Sequence, residues 1–195
     1  NDEHMHGYLE YAIRSMEAAK QIDCNMIVIH SNALGEQGEV IDHYDCFSSA
    51  RKRMNMLRTL EKLAPIAEQY EVTCVLEPLN THVDHPGNAL YSIDDATEIT
   101  RLVGSQRIKV LYDMYHMQIM NGDLIRILER NIDQIGHIHI ADNPGRSEPG
   151  TGEINYIKIM EKLKELNFTP FIAFELAPAT TFEAAVSSIM ALKLD

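Results

Sequence analysis

The sequence has few cysteines, and it has no membrane-spanning or secretory pattern. There are three cysteines, an odd number with no CxxC spacing: Cys24, Cys46 and Cys74. This pattern argues against a disulfide framework, a cysteine-type zinc site or a redox dithiol. No apolar run approaches the roughly 20 residues of a membrane span, and the first residues do not resemble a signal peptide. We therefore expect a cytoplasmic protein with no membrane partner.

Positive charge is also scarce. The 195 residues include 17 Lys and Arg against 29 Asp and Glu, which gives a formal net charge of −12. Nucleic-acid binding draws its sequence-independent affinity from Lys and Arg, so we expect no nucleic-acid partner. The glycine patterns GxGxxG and GxxxxGK[ST], which mark phosphate-binding turns, do not occur either.

Five short apolar runs have the length and the Val, Ile and Phe content of strands buried on both faces. They lie at residues 26–30, 72–76, 108–112, 137–141 and 171–176. The intervening stretches have helical periodicity, with a first helix expected at residues 6–22 and a last at 181–192. Asp94 and Asp95 are candidate N-caps for a helix at 96–103, and Pro65 predicts a kink or break within 54–70.

Alternating strands and helices predict a parallel sheet with right-handed crossovers in a single domain spanning residues 1–195. A doubly wound sheet usually carries a glycine-rich first turn, which is missing here. A β/α barrel instead places its functional groups at the carboxyl ends of several strands. The sequence follows the second pattern, and it has long loops rich in Gly, Pro and Asn at 80–88 and 142–152.

Four successive strands each carry a side chain that can bind a metal near the same end: Glu77, Asp113, His139 and Glu175. In a barrel these side chains would converge at the catalytic face. A carboxylate among apolar residues is costly to bury alone, and a shared divalent cation removes that cost. Three oxygen donors and one nitrogen suit Mn²⁺ or Mg²⁺, with Co²⁺ and Zn²⁺ as competitors.

Each of these residues also has a simpler interpretation. Glu77 or Asp113 alone would more often be a strand-end carboxylate that caps the next helix, and His139 alone would more often be a core histidine. All four at the ends of consecutive strands are much harder to explain by chance. Taken together, they favour the metal site.

Three longer motifs extend this pattern. They are LEPLNT at 76–81, DMYHMQ at 113–118 and HIHIADNPGRSEPGTGEINY at 137–156. The motifs resemble those of the xylose-isomerase-like TIM-barrel superfamily, and within it those of hydroxypyruvate isomerases and related sugar isomerases and epimerases. The resemblance covers essentially the whole chain and implies a TIM (β/α)8 barrel.

The resemblance also implies roles for single residues. Glu77, Asp113, His139 and Glu175 match the family's metal ligands, and Glu77 and Glu175 also match its pair of acid and base glutamates. His116 matches a histidine that contacts a substrate oxygen, and Arg146 matches a substrate-contacting arginine. His30, at the end of the first strand, is a weaker candidate for the pocket wall.

Two positions depart from particular branches of the family. Hydroxypyruvate isomerases often have Gln where this sequence has His139, whereas ketose 3-epimerases have His. Conversely, the 3-epimerases carry a substrate-binding Glu six residues after the first metal ligand, and Val83 stands at that place here. The substrate therefore stays open between these branches.

The implied activity is that of a divalent-metal-dependent isomerase or epimerase acting on a small sugar or a hydroxy-keto acid. Two glutamates would move a proton through an enediolate. Return of the proton to the neighbouring carbon gives isomerisation, and return to the opposite face of the same carbon gives epimerisation. The alternatives are an AP endonuclease of the endonuclease IV type, which needs more strand-end histidines and a basic face, and a non-catalytic metal-binding or sugar-binding fragment.

The length bears on the completeness of the barrel. A full barrel has eight strands in about 250 residues, whereas five strands are predicted here. The resemblance assigns them as the last five, so the chain is expected to lack the first three βα units, and the absence of an initial Met agrees with this. Open sheet edges would invite association with a second copy, so a homo-oligomer is also considered.

Overall fold

A computed structural model describes the backbone of residues 2–192 and the side chains of residues 4–192. Its centre is a five-stranded, entirely parallel sheet in which each strand pairs with the next one in sequence. The strands are β1 (Met26–Ile29), β2 (Thr73–Leu76), β3 (Ile108–Asp113), β4 (Ile135–Ile140) and β5 (Ile172–Phe174). This order is that of consecutive βα units.

Helices connect the strands and cover one face of the sheet. They are α1 (Asp2–Gln21), α2 (Ser49–Tyr70), α3 (Ile93–Val103), α4 (Met114–Met120), α5 (Leu124–Asn131), α6 (Tyr156–Glu165) and α7 (Phe182–Met190). The helix α1 precedes β1, and two helices, α4 and α5, lie between β3 and β4. None of the helices within residues 2–192 combines the length and apolarity needed to cross a membrane.

Side chains alternate between the two faces of the sheet along each strand, and this alternation separates the apolar core from the site. Cys74, Val110, Tyr112 and Ile138 point to the helix-covered face, where they join one buried apolar cluster with the inner faces of the helices. Because successive side chains of a strand point to opposite faces, the intervening residues line the other face of the curled sheet. Asp113 belongs to this second set and is placed away from the apolar cluster.

The five predicted strands are confirmed in number and order, and most of their ends are shifted by one or two residues. β4 begins two residues earlier than predicted, and β5 is shorter at both ends. The parallel pairing that holds these strands requires partners distant in sequence, so a local apolar run locates a strand better than it locates its ends.

Four helix predictions need correction. The first helix begins at Asp2 rather than residue 6, and the last ends at Met190. Asp94 and Asp95 are not N-caps: Ser92 caps α3 by accepting a hydrogen bond from the Asp95 amide, which leaves both aspartates in the first turn. The break expected at Pro65 is wrong, because α2 runs through it while residues on both sides, such as Leu63 and Ala67, remain buried in the core.

Candidate metal and substrate site

The four strand-end residues are brought together at the carboxyl edge of the sheet. Glu77 directly follows β2, Asp113 ends β3, His139 lies near the end of β4 and Glu175 directly follows β5. One ligand atom from each residue can be chosen so that all four atoms lie within 4.8 Å of one another. Parallel register produces this convergence, since Asp113 is paired with His139 across neighbouring strands.

The imidazole of His139 faces all three carboxylates through Nδ1. This atom lies 3.2 Å from Glu175 Oε2, 3.8 Å from Glu77 Oε1 and 3.9 Å from Asp113 Oδ2. The first distance is a hydrogen bond, and the other two are too long for one. The donor set is therefore three carboxylate oxygens and one imidazole nitrogen around a common space.

Two of these oxygens are buried without a hydrogen-bond donor. Glu77 Oε1 and Asp113 Oδ2 have no partner among the side chains and backbone of the residues that the structure describes. A buried carboxylate oxygen with no partner is costly, and two of them aimed at the same imidazole nitrogen would repel each other. A divalent cation bound by these residues would relieve both penalties, so the donor set fits one.

The protonation equilibria reflect the same crowding. Burial, together with the charge of Glu77, raises the pKa of Asp113 to about 7. Burial acts to lower the pKa of His139, but the hydrogen bond to Glu175 and the three carboxylates outweigh it and raise that pKa. The hydrogen bond from His139, with help from Arg146, overcomes desolvation and lowers the pKa of Glu175 to about 2. Negative charge is thus favourable on Glu175 and unfavourable on Asp113.

The second oxygen of Glu77 has its own partner. His30, which follows β1, lies with Nε2 2.9 Å from Glu77 Oε2. With the carboxylate oxygen as acceptor, the imidazole donates this hydrogen bond. The structure therefore places His30 in contact with a strand-end glutamate. A cavity of about 400 Å³ opens beside it and is lined in part by Tyr44, Phe47 and Arg51.

His116 and Arg146 contact two other members of the cluster, Asp113 and Glu175. His116, in α4, is only 1% exposed, and its Nε2 is 3.9 Å from Asp113 Oδ2. The guanidinium of Arg146 donates from Nη2 to Glu175 Oε2 at 2.9 Å and sits 5.1 Å from the ring centroid of Tyr115. Burial, with the positive charge of Arg146, lowers the pKa of His116 to about 3. This histidine is neutral at physiological pH.

The loop after β4 is fastened by one buried carboxylate. Asp142 is fully buried; its Oδ1 accepts from the amides of Asn143 and Ile154, and its Oδ2 accepts from those of Gly150 and Gly152. Four hydrogen bonds from backbone amides to one side chain stabilise one conformation of residues 142–154. Arg146, which lies inside this loop, is positioned by that scaffold.

The same loop also holds the segment that follows Glu175. Buried Glu148 accepts from the amide of Ala179 through Oε2, and the amide of Ala177 donates to the carbonyl of Arg146. Glu175 itself is half exposed, with 52% of its side chain accessible. Its position therefore depends on contacts made from the β4 loop.

The sequence pattern does not single out Asn80, Asp84 or Tyr115, although Asn80 and Tyr115 lie inside the quoted motifs. Asn80 is fully buried and contacts His116. The available signal was the long loop at 80–88, since long loops in compact domains often carry function. Val83, by contrast, is 62% exposed, and its side chain brings no polar group to the site.

Comparison with known proteins agrees with this architecture. The sequence model of the family described as xylose isomerase-like TIM barrel matches residues 1–192. The chain is 36% identical over 140 residues to hydroxypyruvate isomerase of Escherichia coli strain K12, covering 72% of this chain and 54% of that protein. It is 41% identical over 129 residues to 2-oxo-tetronate isomerase of Cupriavidus necator, covering 66% and 49% respectively.

A solved structure supports the fold. The crystal structure titled AP endonuclease, family 2 from Brucella melitensis superimposes with a TM-score of 0.82 at 22% identity, covering 97% of this chain and 68% of that one. At this identity the likeness concerns the fold alone. The chain spans about half the length of the curated relatives it matches, so its five βα units form a partial barrel. The family match over residues 1–192 shows that this chain belongs to the xylose isomerase-like TIM-barrel family.

Proposed function

We propose that this chain carries the metal site and most of the catalytic groups of an isomerase or epimerase acting on a small sugar or a hydroxy-keto acid. Glu77, Asp113, His139 and Glu175 would hold one divalent cation, with Mn²⁺ or Mg²⁺ preferred. The observation that carries the proposal is the convergence of four ligand atoms within 4.8 Å, two of them buried oxygens without a partner in the described part of the chain.

The composition of the site supports the choice of cation. Three carboxylates and one imidazole form a hard, oxygen-rich donor set, which suits Mn²⁺ or Mg²⁺; Co²⁺ and Zn²⁺ can compete through the imidazole nitrogen. A bound cation would supply Lewis-acid stabilisation of the negative charge that develops when a proton leaves the carbon beside a carbonyl group. None of the three cysteines is among the four proposed ligands.

Glu77 and Glu175 would carry the proton in this proposal. They follow two strands separated by β3 and β4, so they approach the common space from different directions. Glu175 is ionised at neutral pH because its pKa is lowered to about 2, chiefly by the hydrogen bond from His139. It becomes a stronger base if Arg146 releases it in order to bind substrate. Glu77 is buried and accepts a hydrogen bond from His30.

The remaining polar groups suit an oxygen-rich, anionic substrate. Arg146 and His116 lie side by side, with Arg146 Nη2 3.4 Å from His116 Nε2. A guanidinium can bind a carboxylate or a hydroxyl oxygen of the substrate, and the neutral imidazole can donate to a second oxygen. The names of the relatives, hydroxypyruvate isomerase and 2-oxo-tetronate isomerase, also designate acids with an oxo or hydroxy group. A hydroxy-keto acid is therefore the first substrate class to test.

The test is exchange of a substrate carbon-bound proton with solvent. Full-length protein carrying this chain is incubated in D₂O with Mn²⁺ and with hydroxypyruvate, 2-oxo-tetronate or a panel of ketoses and aldoses, and NMR follows loss of the C–H signal. We expect exchange with at least one of them, and loss of most activity in Glu175→Gln. Glu161→Gln, an exposed substitution on α6, is the matched control.

The proposal fails if metal-loaded protein exchanges no proton with any of these substrates. Tight, salt-sensitive binding and cleavage of abasic DNA would instead favour the endonuclease alternative. Retained metal without turnover in the full-length protein would favour a non-catalytic binding role.

A further inference from the structure

The two ring nitrogens of His116 lie in different surroundings, and the difference defines where the proton is. Nδ1 faces the backbone and side chain of Asn80, while Nε2 faces the space between Arg146 and Asp113. A neutral imidazole has one nitrogen that donates and one that accepts. The contact between Nδ1 and Asn80 determines which of the two nitrogens donates.

The amide of Asn80 has only one orientation that satisfies its neighbours. One atom of the amide accepts from the backbone amides of Val83 and Asp84, both at 3.0 Å, so it must be the oxygen Oδ1. The other atom lies 2.6 Å from Asp84 Oδ2, a carboxylate oxygen with a lowered pKa, and must be the nitrogen Nδ2. Both contacts give the same assignment, and a flipped amide would break all three hydrogen bonds.

The amide nitrogen then determines the tautomer of His116. Asn80 Nδ2 has two hydrogens, of which one is bound by Asp84 and the other points to His116 Nδ1 at 2.7 Å. The backbone amide of Asn80 also points to Nδ1, at 3.4 Å. With two donors facing it, Nδ1 has to accept, and the ring proton is left on Nε2.

Among the described residues, the opposite nitrogen Nε2 has no acceptor within hydrogen-bond distance. Asp113 Oδ2 is 3.9 Å away, which is too far for a hydrogen bond. Arg146 Nη2 faces Nε2 as a donor at 3.4 Å, but this contact is longer than the 2.7 Å contact from Asn80 Nδ2 to Nδ1, so the two Asn80 donors decide the tautomer. The Nε2–H group is therefore directed to the space that the proposed metal ligands and Arg146 surround. That space is where an oxygen of the substrate would lie.

We propose that Asn80 is a positioning residue that fixes His116 as the Nε2–H tautomer, so that His116 presents a permanent hydrogen-bond donor to a substrate oxygen. Asp84 contributes by holding the amide of Asn80 in its orientation. The tautomer assignment depends only on contacts within the chain, and the clause about substrate rests on the proposed function. A preorganised donor needs no rearrangement when charge develops on that oxygen.

The direct test is the ¹⁵N NMR signature of His116 in the metal-free, ligand-free protein, read from two-bond couplings between ring protons and ring nitrogens. We expect a protonated Nε2 and an unprotonated Nδ1. Asp84→Asn is the first comparison: Asn80 still offers its amide hydrogens, so the tautomer is expected to stay unchanged. A protonated Nδ1 in the wild-type protein, or an even mixture of tautomers, would overturn the proposal.

The exchange variant Asn80→Asp/Asp84→Asn tests the cause. It keeps an oxygen to accept from the backbone amides of residues 83 and 84 and keeps the net charge, but it places a carboxylate against Nδ1. The ring proton is expected to move to Nδ1. A variant that folds and keeps the Nε2–H tautomer would show that Asn80 does not determine it. If this variant does not fold, the wild-type and Asp84→Asn spectra still decide the tautomer.

Kinetics separate this inference from the proposed function. Loss of one preorganised donor lowers kcat by about 100-fold, so the exchange variant is expected to lose kcat to that extent while KM changes little. A merely structural role of Asn80 would lower the amount of folded protein without moving the ring proton. Wild-type protein with the expected tautomer but without turnover would contradict the proposed function and leave the assignment of Asn80 intact.

Discussion

The substitution Asp113→Asn should stabilise the metal-free protein at neutral and alkaline pH. Asp113 is 1% exposed, and burial together with the charge of Glu77 raises its pKa to about 7. Its charged form is therefore disfavoured in the folded state. An amide of the same shape keeps Oδ1, which accepts the hydrogen bond from the His116 amide and caps α4. The substitution removes the charge and preserves the cap.

The size of the effect follows from proton linkage. The pKa of an unfolded aspartate is about 3.9, and the folded value is about 7. Between these values the folded state holds a proton that the unfolded state has lost, so stability falls as pH rises. The slope is about 1.4 kcal/mol per pH unit, which gives at most about 4 kcal/mol over the whole window. Below pH 4 this contribution vanishes, and above pH 7 it is complete.

The assay is urea unfolding of wild-type and variant protein in excess chelator at pH 5 and pH 8. The variant should be more stable than the wild type at both values, and by more at pH 8. Asp94→Asn is the matched control, because Arg130 lowers the pKa of that carboxylate and the sign of its contribution is opposite. A variant that is less stable than the wild type at pH 8 in chelator would refute the reasoning.

Addition of Mn²⁺ at pH 8 should narrow the difference in stability between the two proteins. A cation at 100 times its dissociation constant adds about 2.7 kcal/mol to the stability of the protein that binds it. Wild-type protein gains this increment, whereas Asp113→Asn loses a ligand and gains less. Equal stabilisation of both proteins by Mn²⁺ would show that the ion binds elsewhere.

Two further substitutions or reactions test the local structure. A Cβ on Gly152 would overlap the backbone carbonyl of Asn143, so Gly152→Ala should lower the free energy of unfolding in urea by about 1–3 kcal/mol. Gly145→Ala is the control: its Cβ meets only ordinary contact distances, so the free energy of unfolding should change little. Cys46 is exposed, while burial raises the pKa of Cys74 to about 12. A thiol reagent should therefore modify Cys46 in the folded protein and Cys74 only after unfolding. Early modification of Cys74 would contradict its burial.

The sequence predicts the strand order and the convergence of the four strand-end residues for a physical reason. A parallel strand buried on both faces is an apolar run, and a carboxylate at its end, such as Glu77 or Asp113, stands out against that background. The ends of β5 were less predictable, because its residues are only partly buried and pair with one neighbouring strand in this chain.

Local competition explains the errors at the helices. Ser92, Asp94 and Asp95 can all cap a helix, and the order of cap preference does not separate them. The structure uses Ser92, which leaves Asp94 on the surface to pair with Arg130. Pro65 was expected to interrupt α2 because it lacks an amide hydrogen, but packing of the flanking residues against the sheet outweighs the loss.

The contact between Asn80 and His116 joins residues 36 positions apart, so no local pattern encodes it. It follows from the same geometry that gathers the proposed ligands: adjacent parallel strands deliver their following loops to one edge of the sheet. Asn80 comes from the loop after β2 and His116 from the helix after β3, and the two meet because β2 and β3 are neighbours. A fold that collects charged groups at one edge also supplies the neutral groups that orient them. Burial and the charge of Glu77 raise the pKa of Asp113, so we expect this arrangement to lower stability when no cation is bound.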